Sequence, residues 1–589
     1  MPSHFKQLRL FLVVALLLSA FGLSVFAQDE VAREDTVIFD IDNTDPLPNP
    51  TNFNPLVPGT NKNQGAHQAL WEPLFILNYE TGEIQPWLAE SFVPNETQDV
   101  WTLNLREGVT WSDGEAFNAD DVVFTIQMLL DDETRTLGDA ANMQQWVESV
   151  EKVDDLTVTF NLTNPNPRFQ LDYFSVRIWG SIVIFPEHVW QGQDPFTFTN
   201  YDPEQGWPLG TGPYTLTSAT PTQFVWDRND NWWGAATGFH DGLPEPLRLI
   251  WAITGSEENR SLLMSDGQLD SSMNITLGAF EAIQARNPNV IAWHGESPFA
   301  WADPCPREIS FNTEKAPWDN PDVRKAVSLI IDRNQIIEVA YEGTTTASRT
   351  MFVEYGGMAP YIDAIVEAGM GNSPDPDVAG AQALLEGAGY TKNANGFYEK
   401  DGEVLVADLE VNQGSIEYVR TVNVVVEQLR AAGIDAVARP LIEVTANDNR
   451  SNGNFGIAYN WDTCGSVNEP WVSMNEMNVS RYAPIGSRAS ANEPRWNTEG
   501  AKAYSAIVDQ IGVLPLGDPS IPGLVVEAYQ YIHDETPFIP LVQASKLVPF
   551  DTTYWTGWPT ADNNYNHPAT WWNSTHQIIL NLKKAGTSS

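Results

Sequence analysis

The sequence predicts an α/β protein of at least two domains, and three observations lead to that prediction. The chain has 589 residues, more than a single hydrophobic core organises. Between residues 101 and 131, a strand-like alternation of apolar residues passes directly into a helix-like apolar stripe. Further amphipathic helical patterns follow at 321–331 and 419–434. Strands and helices are therefore mixed along a chain that is long enough for separate cores.

The segment 101–131 combines a strand, a turn and a capped helix. Asp113-Gly114 predicts a tight turn. Asn118 stands where a helix N-cap is expected, and Asp121 occupies the capping-box position three residues later. The strand before the turn has the alternation of a half-buried strand, through Trp101, Leu103 and Leu105. The helix has one apolar face, made by Val122, Val123, Ile126, Leu129 and Leu130.

Residues 1–27 are typical of a secretory signal peptide. Lys6 and Arg9 form a short basic region, an almost wholly apolar stretch follows, and Ala27 is placed for cleavage. A signal anchor is the alternative. No cysteine precedes Cys305, so we expect no lipid attachment site. The sequence thus predicts a soluble protein that is secreted or periplasmic.

The strongly acidic composition excludes some classes of partner. The formal net charge is −45, and removing residues 1–27, which carry two positive charges and no negative one, gives −47. Nucleic-acid binding needs clustered Lys and Arg, which the sequence lacks. Most of the charge serves the solubility of an exported protein. The eight histidines show no clustered pattern, and we expect neither a cofactor nor a metal.

The capped unit resembles the signature of the large extracytoplasmic solute-binding proteins that feed ABC transporters. The family is that of the dipeptide-, oligopeptide- and nickel-binding proteins, family 5, with their oligosaccharide-binding relatives. The matching residues of the unit are Leu105-Arg106, Gly108, Trp111, Asp113-Gly114 and Ala119-Asp120-Asp121. Further resembling elements are Trp71-Glu72-Pro73-Leu74, the Gly210 to Tyr214 segment, the Asn229 to Gly234 segment and the helix after Pro321.

The resemblance implies a periplasmic-binding-protein fold of two domains, large and type II-like, with an extra subdomain. Domain I would comprise residues 28–302 and 546–589, with the extra subdomain at about 80–205, and domain II residues 303–545. The chain would cross between the domains twice, near residues 303 and 546, making a two-segment hinge. Such proteins close around a small-molecule ligand and deliver it to a membrane ABC permease. We expect this one to act as a monomer and not to be an enzyme.

The two cysteines are Cys305 and Cys464. Export supplies an oxidising compartment, in which two cysteines invite a disulfide. Both positions match those of the disulfide-linked pair in the oligopeptide-binding branch of the family. The resemblance therefore implies a bond between them, and two free buried thiols are the alternative.

The segment 459–471 is the most informative about the ligand. In peptide-binding members of the family, an Asp two residues after the cysteine pairs with the peptide's ammonium terminus, and this chain has Ser466 there. An ammonium group in a closed cleft needs a counter-charge to offset its lost hydration. A sugar presents neutral hydroxyls and a C–H face that packs on an aromatic ring. We therefore expect a neutral oligosaccharide, for instance a cello-oligosaccharide.

Most of the expected ligand contacts come from this segment and one from the N-terminal part: Trp71, Trp461, Asp462, Ser466, Asn468, Glu469 and Trp471. Core packing is an equal alternative for Trp71. The remaining tryptophans, including Trp571 and Trp572, are expected mostly in the core.

Two other functions stay open from the sequence. An oligopeptide or dipeptide receptor would need another acidic residue, such as Asp462 or Glu469, for the ammonium group. A secreted glycoside hydrolase would need a pair of carboxylates. The sequence contains no HExxH, CxxC, G-x-S-x-G or P-loop motif, so a binding function is favoured over an enzymatic one.

Overall fold

A computed structural model describes residues 31–41 and 46–586. The predicted signal peptide, residues 1–27, lies outside the described residues. We refer to the two predicted domains as the first lobe (residues 31–302 and 546–586) and the second lobe (residues 303–545). Among the described residues, no helix is long and apolar enough to cross a membrane.

The N-terminal part of the first lobe mixes strands and helices. Its strands are β1 Thr36–Asp40, β2 Phe75–Leu77, β3 Ile84–Pro86, β4 Ala89–Pro94, β5 Val100–Leu105, β6 Val147–Asp154, β7 Thr157–Leu162, β8 Ser175–Val176, β9 Tyr214–Thr220, β10 Gln223–Arg228, β11 Arg248–Ala252 and β12 Val290–Ile291. Its helices are α1 Ala119–Leu130, α2 Ala140–Trp146, α3 Glu187–Trp190, α4 Trp233–Thr237, α5 Glu257–Ser265 and α6 Leu277–Arg286.

The second lobe has the longer helices, and the chain then returns to the first lobe. The strands are β13 Trp301–Phe311, β14 Thr391–Lys392, β15 Tyr398–Lys400, β16 Glu403–Val404, β17 Val406–Asn412, β18 Asp435–Leu441, β19 Ile457–Asn460, β20 Phe538–Lys546, β21 Phe550–Asp551, β22 Trp555–Thr556 and β23 Lys583–Lys584. The helices are α7 Pro321–Ile330, α8 Arg333–Ala340, α9 Ala359–Glu367, α10 Val378–Gly387, α11 Ile416–Ala432, α12 Glu443–Ser451, α13 Trp471–Asn475, α14 Glu499–Gly512, α15 Ile521–Glu535 and α16 His576–Asn581.

The three largest of the seven sheets in the described residues contain four, four and five strands. In the first lobe, one four-stranded sheet has the order β1-β11-β10-β9 and another the order β4-β5-β7-β6. In the second lobe, a five-stranded sheet has the order β18-β17-β19-β13-β20, in which β17 is parallel to both of its neighbours. The mixture of parallel and antiparallel pairs confirms the predicted α/β class.

The capped unit forms as predicted. Trp101, Leu103 and Leu105 of β5 are buried, and α1 begins directly after Asn118. The side-chain oxygen of Asn118 accepts a hydrogen bond from the Asp120 amide at 2.7 Å, and Asp121 accepts one from the Asn118 amide at 3.0 Å. This reciprocal pairing satisfies amides that the first turn leaves free.

The two predicted crossings lie side by side. Strands β13 and β20 pair in antiparallel fashion, so that Trp301 is opposite Lys546 and Asp303 opposite Ala544. The pairing is irregular between Asp303 and Arg307. One buried apolar cluster draws only on residues 309–542 and another only on residues 351–538. A further buried cluster joins the two predicted lobes, with Tyr79 of the first and Tyr355 of the second among its members. The domain boundaries stay a prediction.

The disulfide implied by the resemblance is present between Cys305 and Cys464. It joins the irregular part of β13 to the loop after β19, across 159 residues of chain. The same loop carries most of the predicted ligand contacts, so the bond fixes that loop to the strand that crosses between the lobes.

Glu72, in the element that resembles the family, is buried among indoles. It accepts hydrogen bonds from the Trp87 Nε1 at 3.0 Å and the Trp233 Nε1 at 2.7 Å. Burial raises the pKa of Glu72 from 4.5 to about 7, against the lowering effect of these hydrogen bonds. Glu72 therefore keeps its proton to a higher pH in the folded state than in the unfolded state.

We expect the contribution of Glu72 to stability to fall as the pH rises. A carboxyl whose folded pKa exceeds its unfolded value stabilises the fold below the unfolded pKa and loses that effect between pH 4.5 and 7. The change amounts to about 3 kcal/mol. Chemical denaturation of Glu72→Gln and the wild type across this range should show the difference in unfolding free energy, with exposed Glu427→Gln as control. A difference in unfolding free energy between Glu72→Gln and the wild type that does not change with pH would contradict the expectation.

Candidate ligand-binding site

A cavity of about 380 Å³ lies between the lobes; we call it the interlobe cavity. The first lobe contributes residues of α5 and of the segment 273–277, and the second lobe contributes residues 340–344 and 414–420. Asp303 and residues 545–547, next to the two crossings, complete the wall. Its volume is in the range of small-molecule sites, and both lobes would contact a ligand there.

The charges of the interlobe cavity nearly cancel. Its described lining residues include four acidic side chains, Glu257, Asp303, Glu342 and Glu417, and three basic ones, Arg260, Arg420 and Lys546. Glu342 lies 2.8 Å from Arg420 and Asp303 lies 3.8 Å from Lys546. Glu257 accepts hydrogen bonds from the Thr276 amide and hydroxyl. The cavity thus combines two ion pairs, the carboxylates of Glu257 and Glu417, and neutral hydroxyl and amide groups.

Trp571 and Trp572 line this cavity and also a second one, of about 550 Å³, inside the first lobe. We call the second one the inner cavity. Their ring centroids are 5.7 Å apart with the planes at 60°, and both residues are half-buried. The carbonyl of Trp571 accepts a hydrogen bond from Gln68 and that of Trp572 one from Thr575. The indoles are therefore held in place at the junction of two cavities.

Trp571 and Trp572, which were expected in the core, are half-buried: they pack against buried apolar clusters and also line both cavities. They occupy a segment without regular structure that precedes α16. Sequence reasoning missed them, although two adjacent indoles bounded by Pro568 and Asn573 offered a signal. A turn-rich polar segment rarely supplies enough neighbours to bury both rings.

The structure places Trp71 in the core. Its side chain belongs to a cluster with Phe39, Trp226 and Trp251, is 5% exposed, and donates through Nε1 to the Leu209 carbonyl at 3.3 Å. These surroundings correspond to core packing, the alternative that the sequence analysis gave for Trp71.

Ser466 is also buried, with 1% exposure. Its hydroxyl accepts a hydrogen bond from the Ser473 amide at 3.0 Å, and its own amide donates to the Ser473 hydroxyl at 2.9 Å. This reciprocal pair closes the loop on the start of α13. The position supplies no charge, and its hydroxyl already has a protein partner.

Trp461 and Asp462 belong to a buried polar network of the second lobe. The Trp461 ring lies 5.1 Å from the guanidinium of Arg450 and 5.7 Å from that of Arg307. Asp462 accepts hydrogen bonds from Ser310 and Asn460. Burial raises the pKa of Asp462 well above its usual range, and the neighbouring carboxylates of Glu493 and Glu308 raise it further.

Asn468, Glu469 and Trp471 lie where the second lobe meets the predicted extra subdomain. Glu469 Oε2 accepts hydrogen bonds from Arg168 Nε at 3.3 Å, Arg168 Nη2 at 3.2 Å and the Trp471 amide at 3.0 Å. The guanidinium of Arg168 lies 5.3 Å from the Trp471 ring. Asn468 lies close to Gly82: a Cβ atom added to Gly82 would lie 3.2 Å from the Cβ of Asn468.

None of the seven predicted ligand residues is among the described residues that line the interlobe or the inner cavity. Asn468, Glu469 and Trp471 meet at one lobe contact, and Ser466 fastens the same loop to α13. Trp461 and Asp462 share one network, and Trp71 lies in a core cluster. Their role as ligand contacts stays a prediction. In the described part of the chain, no three His, Cys, Asp or Glu side chains form a group suited to a metal ion.

The family model for "Bacterial extracellular solute-binding proteins, family 5 Middle" matches residues 83–483. A nickel-binding periplasmic protein of Escherichia coli strain K12 is 24% identical over 514 residues, covering 85% of this chain and 88% of that protein. A glutathione-binding protein of Shigella flexneri is 27% identical over 349 residues, covering 59% of this chain and 60% of that protein.

A solved structure from Thermotoga maritima has the same fold. It is a mannohexaose-bound periplasmic oligopeptide-binding protein of an oligopeptide ABC transporter, 23% identical, with a TM-score of 0.75 over 94% of this chain and all of that one. Proteins of the matching family bind small-molecule or peptide solutes outside the cytoplasm and work with ABC permeases. The chain therefore belongs to the family 5 bacterial extracellular solute-binding proteins, which are transport receptors and not enzymes.

Proposed function

We propose that this receptor captures a neutral oligosaccharide in the interlobe cavity and delivers it to an ABC permease. The observation that carries the proposal is the pair of half-buried indoles, Trp571 and Trp572, on the cavity wall. Burying about 40–80 Å² of a sugar's C–H face on one indole contributes roughly 1–2 kcal/mol. Neutral side chains on the same wall, such as Asn274, Thr344 and Ser415, suit the hydroxyls.

The sequence offers Asp462 and Glu469 as examples of residues that could pair with a peptide's ammonium group. Neither can do so in the interlobe cavity, whose own carboxylates include Glu257 and Glu417. Asp462 and Glu469 are engaged within the protein, with Ser310 and Arg168 respectively, and neither is among the described residues that line the two cavities. The mannohexaose bound to the Thermotoga maritima protein is a precedent for a sugar on this fold.

Closure of the lobes is the proposed mechanism. The lobes, with boundaries at residues 303 and 546, would rotate about the paired strands β13 and β20. A ligand in the interlobe cavity contacts both lobes and so binds the closed form more tightly than the open one. Only that difference in affinity drives the population towards the closed, permease-competent form. The protein would act as a monomer, and no turnover of the sugar is expected.

Trp572→Ala tests the role of the indoles. We expect it to weaken oligosaccharide binding by roughly 5- to 30-fold, the loss of about 1–2 kcal/mol of stacking. Calorimetric titration with mannohexaose or cellohexaose measures the effect. Trp146→Ala is the matched control, since Trp146 is half-buried and lines neither cavity. Equal affinity of Trp572→Ala and the wild type would remove the main support for a sugar ligand.

A further inference from the structure

The inner cavity is formed by the first lobe alone. Its wall combines residues 55–67 with residues of the predicted extra subdomain, among them Leu129 and the segment 179–185. Trp571 and Trp572 are the described residues that it shares with the interlobe cavity. The two cavities therefore adjoin at these two rings.

Two oxygen atoms in the wall of the inner cavity accept no hydrogen bond from the described residues, although one of them belongs to an ion pair. Gln64 Oε1 and Asp172 Oδ1 are buried without a hydrogen bond to any described residue. Arg177 Nη1 lies 3.4 Å from Asp172 Oδ1, so the charge there is opposed by a cation. Buried acceptors are costly to leave unpaired, and a ligand with hydroxyl donors would satisfy them.

The inner cavity also has an aromatic wall. The Trp179 and Trp572 rings both line it, with centroids 6.2 Å apart and planes at 54°. Unpaired acceptors beside indole rings match the two faces of a sugar unit, its hydroxyl edge and its C–H face.

We infer that the inner cavity is a second binding site, which takes the terminal units of an oligosaccharide whose other end occupies the interlobe cavity. The receptor then selects for chains long enough to pass Trp571 and Trp572. This inference rests on the proposed function. It adds a length requirement and a recognition role for Gln64 and Asp172.

Paired chain lengths test the inference. Calorimetric titration would compare mannobiose with mannotetraose, and cellobiose with cellotetraose, on the wild type, Gln64→Ala and the control Gln193→Ala. We expect a tetrasaccharide to bind at least tenfold more tightly than its disaccharide, and Gln64→Ala to remove most of that gain while leaving disaccharide affinity unchanged. Gln64→Ala keeps the backbone carbonyl that accepts from Trp226 Nε1, and its thermal midpoint should match that of the exposed-site control.

The outcomes separate the two claims. Equal affinity for both lengths, or an equal effect of Gln64→Ala on both, would overturn the second site while the proposed function stands. A destabilised Gln64→Ala is replaced by Asp172→Asn, from which the same loss of length preference is expected. Binding of neither length in either series would contradict the proposed function itself.

Discussion

Removing the disulfide between Cys305 and Cys464 is expected to lower the free energy of unfolding by up to about 5 kcal/mol. The bond closes a loop of 159 residues, and in the chain-entropy description a loop of that length gives a stabilisation of roughly 5 kcal/mol. Denaturant unfolding of a Cys305→Ser/Cys464→Ser variant, compared with the wild type, measures the loss. The second lobe should lose more protection from hydrogen exchange than the first.

Reduction provides the control for that variant. The reduced wild type should unfold at the same denaturant concentration as the double variant, and the reductant should have no effect on the variant itself. Equal midpoints for the oxidised and reduced wild type would contradict the expectation. They would mean that residual structure already restricts the unfolded chain as much as the bond does.

Breaking the ion pair between Arg168 and Glu469 is expected to cost about 3–5 kcal/mol, because one partner is left charged and buried. Both side chains are almost fully buried, with exposures of 1% and 5%. Arg168 also donates to the carbonyls of Gly512 at 2.8 Å and Leu514 at 3.3 Å. Glu469→Gln keeps the shape of the side chain and removes its charge, and chemical denaturation measures the loss.

An exposed ion pair provides the comparison. The side chains of Arg488 and Asp448 are 69% and 57% exposed, so Asp448→Asn should cost less than about 1 kcal/mol. A double variant, Arg168→Met with Glu469→Gln, should recover part of the loss, since no uncompensated charge stays buried. A loss for Glu469→Gln no larger than for Asp448→Asn would show that the lobe contact does not depend on this charge.

The local part of the fold could be predicted from the sequence. The unit at 101–131 forms as expected because its signals act over a few residues: alternation decides which side of β5 is buried, and Asn118 with Asp121 decides where α1 starts. The family resemblance extended these signals to the whole chain and to the disulfide. The strand, the turn and the helix depend on residues that are close in sequence. The disulfide was predicted from the order of the family's motifs along the chain.

The candidate site could not be predicted in the same way, because it depends on which distant segments meet. Trp571 follows the second crossing, yet its carbonyl accepts a hydrogen bond from Gln68, 503 residues earlier. Glu469 appeared free to contact a ligand until the structure placed Arg168, 301 residues away, beside it. The sequence therefore identified polar and aromatic side chains that could contact a ligand. It did not show which distant residues the tertiary fold would place beside them.

Thermal unfolding of residues 28–589 with a panel of ligands tests the central claim most directly. A ligand that binds only the folded state must raise the unfolding midpoint. The panel would contain gluco-, manno-, xylo- and galacto-oligosaccharides together with di- to pentapeptides. The account predicts that oligosaccharides raise the midpoint and peptides do not. A midpoint raised by peptides and unchanged by every sugar would contradict it.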